Sequence, residues 1–342
     1  MDSKDSILTD AHGRRINYLR LSVTDRCNLR CMYCRIRESF QFIPHRDILT
    51  YEELLEIIAL AEDIGVSKVR LTGGEPFLRK DFEWFLTKVL QSRPKVDLRV
   101  TTNATLIADR METLRDIGLS GLNVSLDTLD RRTYAEITGK DLYPEVRRAV
   151  DTGLEAGLRM KINVVAMRGV NDQELPGFVS LAAEHPLDIR FIECMPVGDS
   201  LNISRRAFWP ADDILEKVQK LVGLEPVLER DKAGGPARMY SIAGGRGRIG
   251  VISPLSHHFC GQCNRFRITS DGRLRTCLFS EKEYRLRPLL RSPRLGRKHI
   301  LKALRGASRK KPMGHELLQE RCQSKARDNA GEGFRGMSSI GG

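Results

Sequence analysis

From residue 16 to about 195, short apolar and β-branched runs alternate with longer stretches whose apolar positions recur at helical spacing. The short runs INYLRLSVT, VSKVRLT, VDLRVTT, LSGLNVSL, LRMKINVVAM and LDIRFIECM read as six strands. Between them, YEELLEIIALAEDIG places Leu54, Leu55, Ile58 and Leu60 on an apolar face and ends at Gly65, and DFEWFLTKVLQS and LPGFVSLAAEH follow the same pattern. This alternation predicts βα units and an α/β fold with a parallel sheet, read as a partial (β/α)6 barrel of TIM type in preference to a doubly wound sheet. In either architecture ligands gather at the C-terminal ends of the strands. Those ends hold Thr24 to Cys34, then Gly73, Gly74 and Glu75, then Thr101 to Asn103.

Past residue 200 the pattern changes. It predicts a helix over PADDILEKVQKLV, glycine-rich turns, and a hairpin in FRITSDGRLRTCLF turning at Asp271-Gly272. LRPLLRS, a basic helical segment and the tail GFRGMSSIGG follow. The expected division is a barrel region, 1–200, and a smaller α+β region, 201–342.

Hydrophobic residues make up 41% of the 342 and charged residues 30%, the balance of a globular chain. No apolar run approaches the roughly 20 residues of a membrane span. The segment MDSKDSILTDAHGRR lacks the apolar stretch of a secretory signal, so a cytoplasmic location is expected. The net charge of +13 lies almost wholly at one end: Lys282 to Arg327 holds 15 Lys and Arg against three acids. Within it, residues 291–311 carry nine bases and no acid, which reads as solvated helix faces before it reads as a polyanion surface.

Eight cysteines without a secretory context point to metal or redox chemistry rather than disulfides. Six fall into two triplets, Cys27, Cys31, Cys34 and Cys260, Cys263, Cys277, while Cys194 and Cys322 read as buried free thiols. Three thiolates hold three corners of a cubane iron–sulfur cluster and leave the fourth iron open to a substrate or cofactor. A zinc site with a distant histidine is the competing reading of the first triplet. Asn264, Arg265, Phe266 and Arg267 follow Cys263 directly, and arginines so placed attract an anion and donate in pairs to phosphate.

The C-x3-C-x2-C stretch with Tyr33 before its last cysteine resembles the cluster motif of radical S-adenosylmethionine enzymes, and Gly73-Gly74-Glu75-Pro76 after the second strand supports it. That resemblance implies a [4Fe-4S] cluster on Cys27, Cys31 and Cys34, with Tyr33, Gly74, Ser125 and Met195 lining the S-adenosylmethionine site. Together with C-x2-C-x13-C, the NRFR run and the terminal Gly341-Gly342, the whole chain resembles the GTP 3′,8-cyclase family of molybdenum cofactor biosynthesis. This implies a second [4Fe-4S] cluster on Cys260, Cys263 and Cys277 whose open iron meets the guanine base. It also implies a 5′-deoxyadenosyl radical that abstracts the ribose C3′ hydrogen, giving 3′,8-cyclo-7,8-dihydro-GTP.

By the same resemblance Arg20, Arg70, Thr101, Lys161, Arg265, Phe266 and Arg267 contact GTP. Gly341 and Gly342 reach the active site, where they count with Arg265 and Arg267 as catalytic. Implied partners are a reductant protein and, downstream, cyclic pyranopterin monophosphate synthase; no membrane or nucleic acid is expected, and homodimerisation stays open. From the residues alone, ion pairing with neighbouring acids is the competing account of Arg20, Arg70 and Lys161. Two other readings of the chain remain: a radical enzyme acting on a peptide, and a zinc-stapled RNA-binding protein.

Overall fold

The computed structural model describes residues 7–34, 41–196, 201–227 and 235–324. Its first six strands, β1 (Tyr18–Ser22), β2 (Lys68–Thr72), β3 (Asp97–Thr102), β4 (Gly121–Ser125), β5 (Met160–Ala166) and β6 (Asp188–Glu193), fall inside the six runs predicted above. Between and after them lie α1 (Tyr51–Asp63), α2 (Phe82–Ser92), α3 (Met111–Asp116), α4 (Arg131–Thr138), α5 (Tyr143–Glu155) and α6 (Leu175–Glu184). Next come α7 (Leu201–Arg206), α8 (Ala211–Gln219), β7 (Leu224–Pro226), β8 (Arg238–Ile242) and β9 (Arg248–Ile252). The chain continues through β10 (Arg265–Ile268), β11 (Arg273–Arg275), β12 (Tyr284–Arg285), α9 (Arg287–Arg291), α10 (Arg297–Arg309) and α11 (Gly314–Ser324).

The chain divides into two compact units, one made of Met1–Cys27, Ser39–Leu98 and Cys260–Gly342, the other of Asn28–Glu38 and Arg99–Phe259. In the first unit β1 lies between β2 and β10, parallel to both, and β10, β11 and β12 continue as antiparallel neighbours. Side chains alternate across a strand, so one face carries Leu19, Val69 and Phe266. Leu19 and Phe266 line an apolar pocket with Ile57 and Leu60 of α1 and Ile300 and Leu304 of α10. A capping box starts α1: Thr50 accepts from the Glu53 amide, and Glu53 Oε2 accepts from the Thr50 amide at 2.7 Å. Its buried face includes Leu54, Ile57, Ile58 and Leu60, so Ile57 takes the core position assigned above to Leu55, which is only half-buried.

The basic segment packs within this unit and is not simply a solvated surface. Ile300, Leu304 and Ala307 bury one side of α10, while Arg291 pairs with Glu53 at 2.6 Å and Arg297 pairs with Asp63. Arg287 reaches Asp47 at 3.2 Å.

In the second unit β4, β5, β6 and β9 are parallel, β4 also pairs with the Arg99–Thr102 part of β3, and β8 and β7 extend the sheet antiparallel. Strands β8 and β9 occupy a stretch read from sequence as glycine-rich turns. Its glycines answer to close packing instead: a Cβ on Gly250 would lie 2.5 Å from Met239 Sδ, and one on Gly247 2.3 Å from the Leu187 carbonyl oxygen.

Candidate functional site

In the first unit, register sets the chemistry. Lys68, Tyr18 and Arg265 form one row across β2, β1 and β10, and Arg70, Arg20 and Arg267 form the next, on the face opposite the apolar side chains. Lys68, Arg70 and Arg267 are buried, with Asp97 at 3.4 Å from Lys68 and the Tyr18 hydroxyl accepting from Arg70 Nε at 2.5 Å. Burial lowers the Arg20 guanidinium to about 10, with Tyr18 opposing and Arg70 and Arg265 adding to the shift. Burial, Arg20 and Arg265 likewise pull Arg267 well down. Packing five cations on one sheet face is unfavourable unless an anion joins them. The structure thus brings Arg20, Arg70, Arg265 and Arg267 together, and adds Lys68 and Tyr18. Phe266 points to the other face, into the apolar pocket, so its side chain does not join this cationic group.

The second cysteine triplet lies in the same unit. A Cβ on Gly314 would sit 2.8 Å from Cys277 Sγ and 3.6 Å from Cys260 Sγ, so both sulfurs face the start of α11. Burial raises the Cys260 thiol, against which the His315 and Gly314 amides donate to its sulfur. For Cys263, burial is outweighed by Arg265 and Lys311, which bring the thiol down to about 6. Lys311, 2% exposed, is fixed by the carbonyl oxygens of Arg265 and Thr276. Arg14, paired with Asp10 at 2.5 Å, donates to the Cys260 carbonyl at 2.7 Å and the Lys311 carbonyl at 3.0 Å. Three thiols, cations and backbone donors, with no fourth thiol beside them among the described residues, suit a cluster with one open iron.

Gly73 and Gly74 pack on the chain that leads into the first triplet. The Gly74 amide donates to the Thr24 carbonyl at 2.8 Å and the Glu75 amide to that of Arg26 at 2.7 Å. A Cβ on Gly74 would lie 2.1 Å from the Arg26 oxygen, so only glycine fits. Cys27, Cys31 and Cys34 are half-buried.

The second unit holds Cys31 and Cys34, joined in a turn whose Cys34 amide donates to the Cys31 carbonyl at 2.8 Å. The preceding loop docks on the C-terminal end of α4: the Arg30 and Met32 amides donate to the carbonyls of Thr138 and Ile137 at 2.8 and 2.9 Å. Those carbonyls are acceptors that a helix end leaves over. Tyr33 donates to Asp127 Oδ2 at 2.5 Å, and Asp127 Oδ1 accepts from the Val165 amide at 2.7 Å. Burial raises the Asp127 carboxyl to about 6, with Tyr33 and Val165 opposing.

Thr101, Asn123, Lys161, Asp188 and Arg248 form one row across this sheet, with Ser125, Asn163 and Arg190 in the next. Lys161 pairs with Asp188, which also holds Arg248 at 2.7 Å. The Oδ1 atoms of Asn123 and Asn163 are buried without a hydrogen-bond partner, acceptors available to a ligand's donors. Met195 is half-buried beside Cys194, whose thiol burial pushes up to about 11, an inert group. Among the described residues, no three His, Cys, Asp or Glu side chains close on a single metal-ion position. A cubane gives each thiolate its own iron, so it requires no such convergence. Gly341, Gly342 and the Cys322 side chain lie outside the described residues.

Sequence reading missed Tyr18, Lys68, Asp127, Lys311 and Gly314. The alternation in YLRLS, KVRLT and RFRI was a usable signal for the first two, since it puts them on the arginine face. KKPMGH carries no such signal.

The radical SAM superfamily model matches residues 21–182, and the Molybdenum Cofactor Synthesis C model matches residues 187–317. The GTP 3′,8-cyclase of Desulforamulus reducens is 40% identical over 311 residues, 91% of this chain and 95% of the relative. The chain belongs to the GTP 3′,8-cyclase family. Other GTP 3′,8-cyclases agree: that of Alkaliphilus oremlandii is 39% identical over 98% of this chain and all of the relative, and that of Geobacter sulfurreducens 44% over 83% and 86%. Among solved structures, Streptococcus suis SuiB with its precursor peptide SuiA shares the fold at 16% identity and a TM-score of 0.62, over 96% of the cyclase-family chain and 77% of SuiB. SuiB bound to S-adenosylmethionine matches at 17% identity and a TM-score of 0.57, over 80% of this chain and 64% of SuiB. No helix among the described residues is long and apolar enough to cross a membrane.

Proposed function

We propose that this chain is a GTP 3′,8-cyclase with a [4Fe-4S] cluster on each cysteine triplet. The carrying observation is the match to named cyclases over 91% of the chain, and the buried cationic rows of β1, β2 and β10 give it a physical basis. When bound, the first cluster would supply one electron to the sulfonium of S-adenosylmethionine, the chemistry that divides its carbon–sulfur bond into methionine and a 5′-deoxyadenosyl radical. The protein's part is binding and orientation. Cys27, Cys31 and Cys34 would hold the first cluster, and Gly74, Tyr33, Ser125 and Met195 the S-adenosylmethionine. Arg20, Arg70, Arg265 and Arg267 offer paired donors to a polyphosphate, with Thr101 and Lys161 as further nucleotide contacts. Cys260, Cys263 and Cys277 would hold the second cluster, which would offer an open iron to the guanine, and the same resemblance implies a catalytic part for Gly341 and Gly342.

A reductant protein and a downstream cyclic pyranopterin monophosphate synthase belong to the same reading. Incubating the reconstituted protein with GTP deuterated at C3′ tests it: the deuterium should appear in 5′-deoxyadenosine. A label retained in the nucleotide while deoxyadenosine forms would overturn the C3′ assignment.

A further inference from the structure

Among the basic side chains of this face stands a tyrosine. Tyr18 is 4% exposed and sits at the centre of its row, flanked by Lys68 and Arg265, with Arg20 and Arg70 one row on. Its ring lies beneath both the Lys68 ammonium, 5.7 Å from the centroid, and the Arg70 guanidinium, at 5.9 Å. Its oxygen accepts from Arg70 Nε at 2.5 Å. We propose that Tyr18 is a positioning residue of the polyphosphate site, its oxygen holding Arg70 in place and supplying counter-charge to the arginine rows until a phosphate oxygen replaces it. This rests on the reading of those rows as the polyphosphate site.

An arginine only donates, so the tyrosine oxygen accepts from it in either form, and the bond is stronger to a phenolate than to a phenol. Among the described residues, the charged groups around it include Arg20 on its own strand, Lys68 and Arg70 on β2, and Arg265 and Arg267 on β10, with Asp97 paired to Lys68. Burial by itself would raise the phenol, but Arg70, Arg20 and Arg265 outweigh it and bring it down to about 7. When a polyphosphate enters, its negative charge takes over the counter-ion role. The phenolate then takes a proton from solvent and becomes an ordinary phenol. Binding at alkaline pH is therefore coupled to proton uptake, and affinity falls as pH rises through about 7. With that value, the phenol form drops from about half at pH 7.0 to about one part in thirty at pH 8.5, a loss of about fifteen-fold in affinity.

The test is calorimetric titration of the anaerobically reconstituted holoenzyme with GTP at pH 7.0 and 8.5, in two buffers of different ionisation enthalpy, with inorganic tripolyphosphate as competitor. At pH 8.5 the terminal phosphate of GTP is already ionised, so uptake reports on the protein. The wild-type chain should take up close to one proton per GTP at pH 8.5 and bind about fifteen-fold more weakly than at pH 7.0. Tyr18→Phe should take up none and bind nearly equally at both. The wild-type measurement needs no substitution, so a misfolded variant does not blunt it. If Arg70→Ala weakens GTP binding tenfold or more while Tyr18→Phe keeps the wild-type pH profile, the tyrosine inference fails and the polyphosphate site stands. If neither Arg70→Ala nor tripolyphosphate affects GTP binding, the polyphosphate reading fails, and the inference with it.

Discussion

Substituting Gly314 by alanine opposes two effects of known sign. Alanine favours a helix over glycine by about 1 kcal/mol in the interior, and by less at a first residue such as this one. Against that, the new Cβ would stand 2.8 Å from Cys277 Sγ, inside the distance real Cβ atoms keep, and at a tight 3.2 Å from Phe279 Cδ2. Overpacking of this kind costs about 1 to 3 kcal/mol, so the clash outweighs the propensity gain. Because the sulfur displaced is a proposed cluster ligand, the loss should appear first in metal content. Reconstituted wild-type protein with two cubanes holds about eight irons per chain, and Gly314→Ala should fall towards about four. Gly306 is the internal control. It lies within α10 with nothing inside 4 Å of an added Cβ, so Gly306→Ala should raise stability to denaturant by about 0.5 to 1 kcal/mol with iron unchanged. Full iron content and raised stability in Gly314→Ala would refute the placement of α11 against the second triplet.

Three further outcomes follow from the same geometry. Asp188→Ala leaves Lys161 and Arg248 facing each other and should destabilise the fold by about 3 kcal/mol in denaturant titration. At Asp188 burial is outweighed by Arg248 and Lys161, so the carboxyl lies below its ordinary 3.8; its stabilisation is present above that value and is lost as pH falls through the folded one. Tyr33→Phe removes the donor to Asp127 and should cost about 2 kcal/mol of stability, read from denaturation midpoints. Arg291→Ala breaks a partly exposed pair with Glu53 and should change stability by less than about 1 kcal/mol, and by less still at high salt.

The sequence showed most clearly what repeats or clusters. Six strands were legible because β-branched runs of fitting length are bounded by turn residues, and the hairpin was legible because Asp271-Gly272 marks its turn, with Gly272 at φ +78°. The cysteine triplets were legible from spacing alone. What stayed hidden depends on contacts distant in sequence. Strand β9 is short, holds Gly250 and follows Gly244, Gly245 and Gly247, so local composition reads as turn, yet β6 pairs with it from some sixty residues away. Lys311 resembles its neighbours in a basic run and is fixed only by carbonyls from Arg265 and Thr276. Tyr18 looked like an ordinary strand aromatic until register placed it among arginines.

Two clusters serving one nucleotide would make 5′-deoxyadenosine formation answer to GTP. Anaerobically reconstituted protein would be given S-adenosylmethionine and a reductant, with and without GTP, alongside Cys27→Ser and Cys260→Ser. GTP should raise deoxyadenosine well above the uncoupled level, Cys27→Ser should abolish it, and Cys260→Ser should remove the response to GTP. Cleavage at the same rate with or without GTP would contradict that coupling.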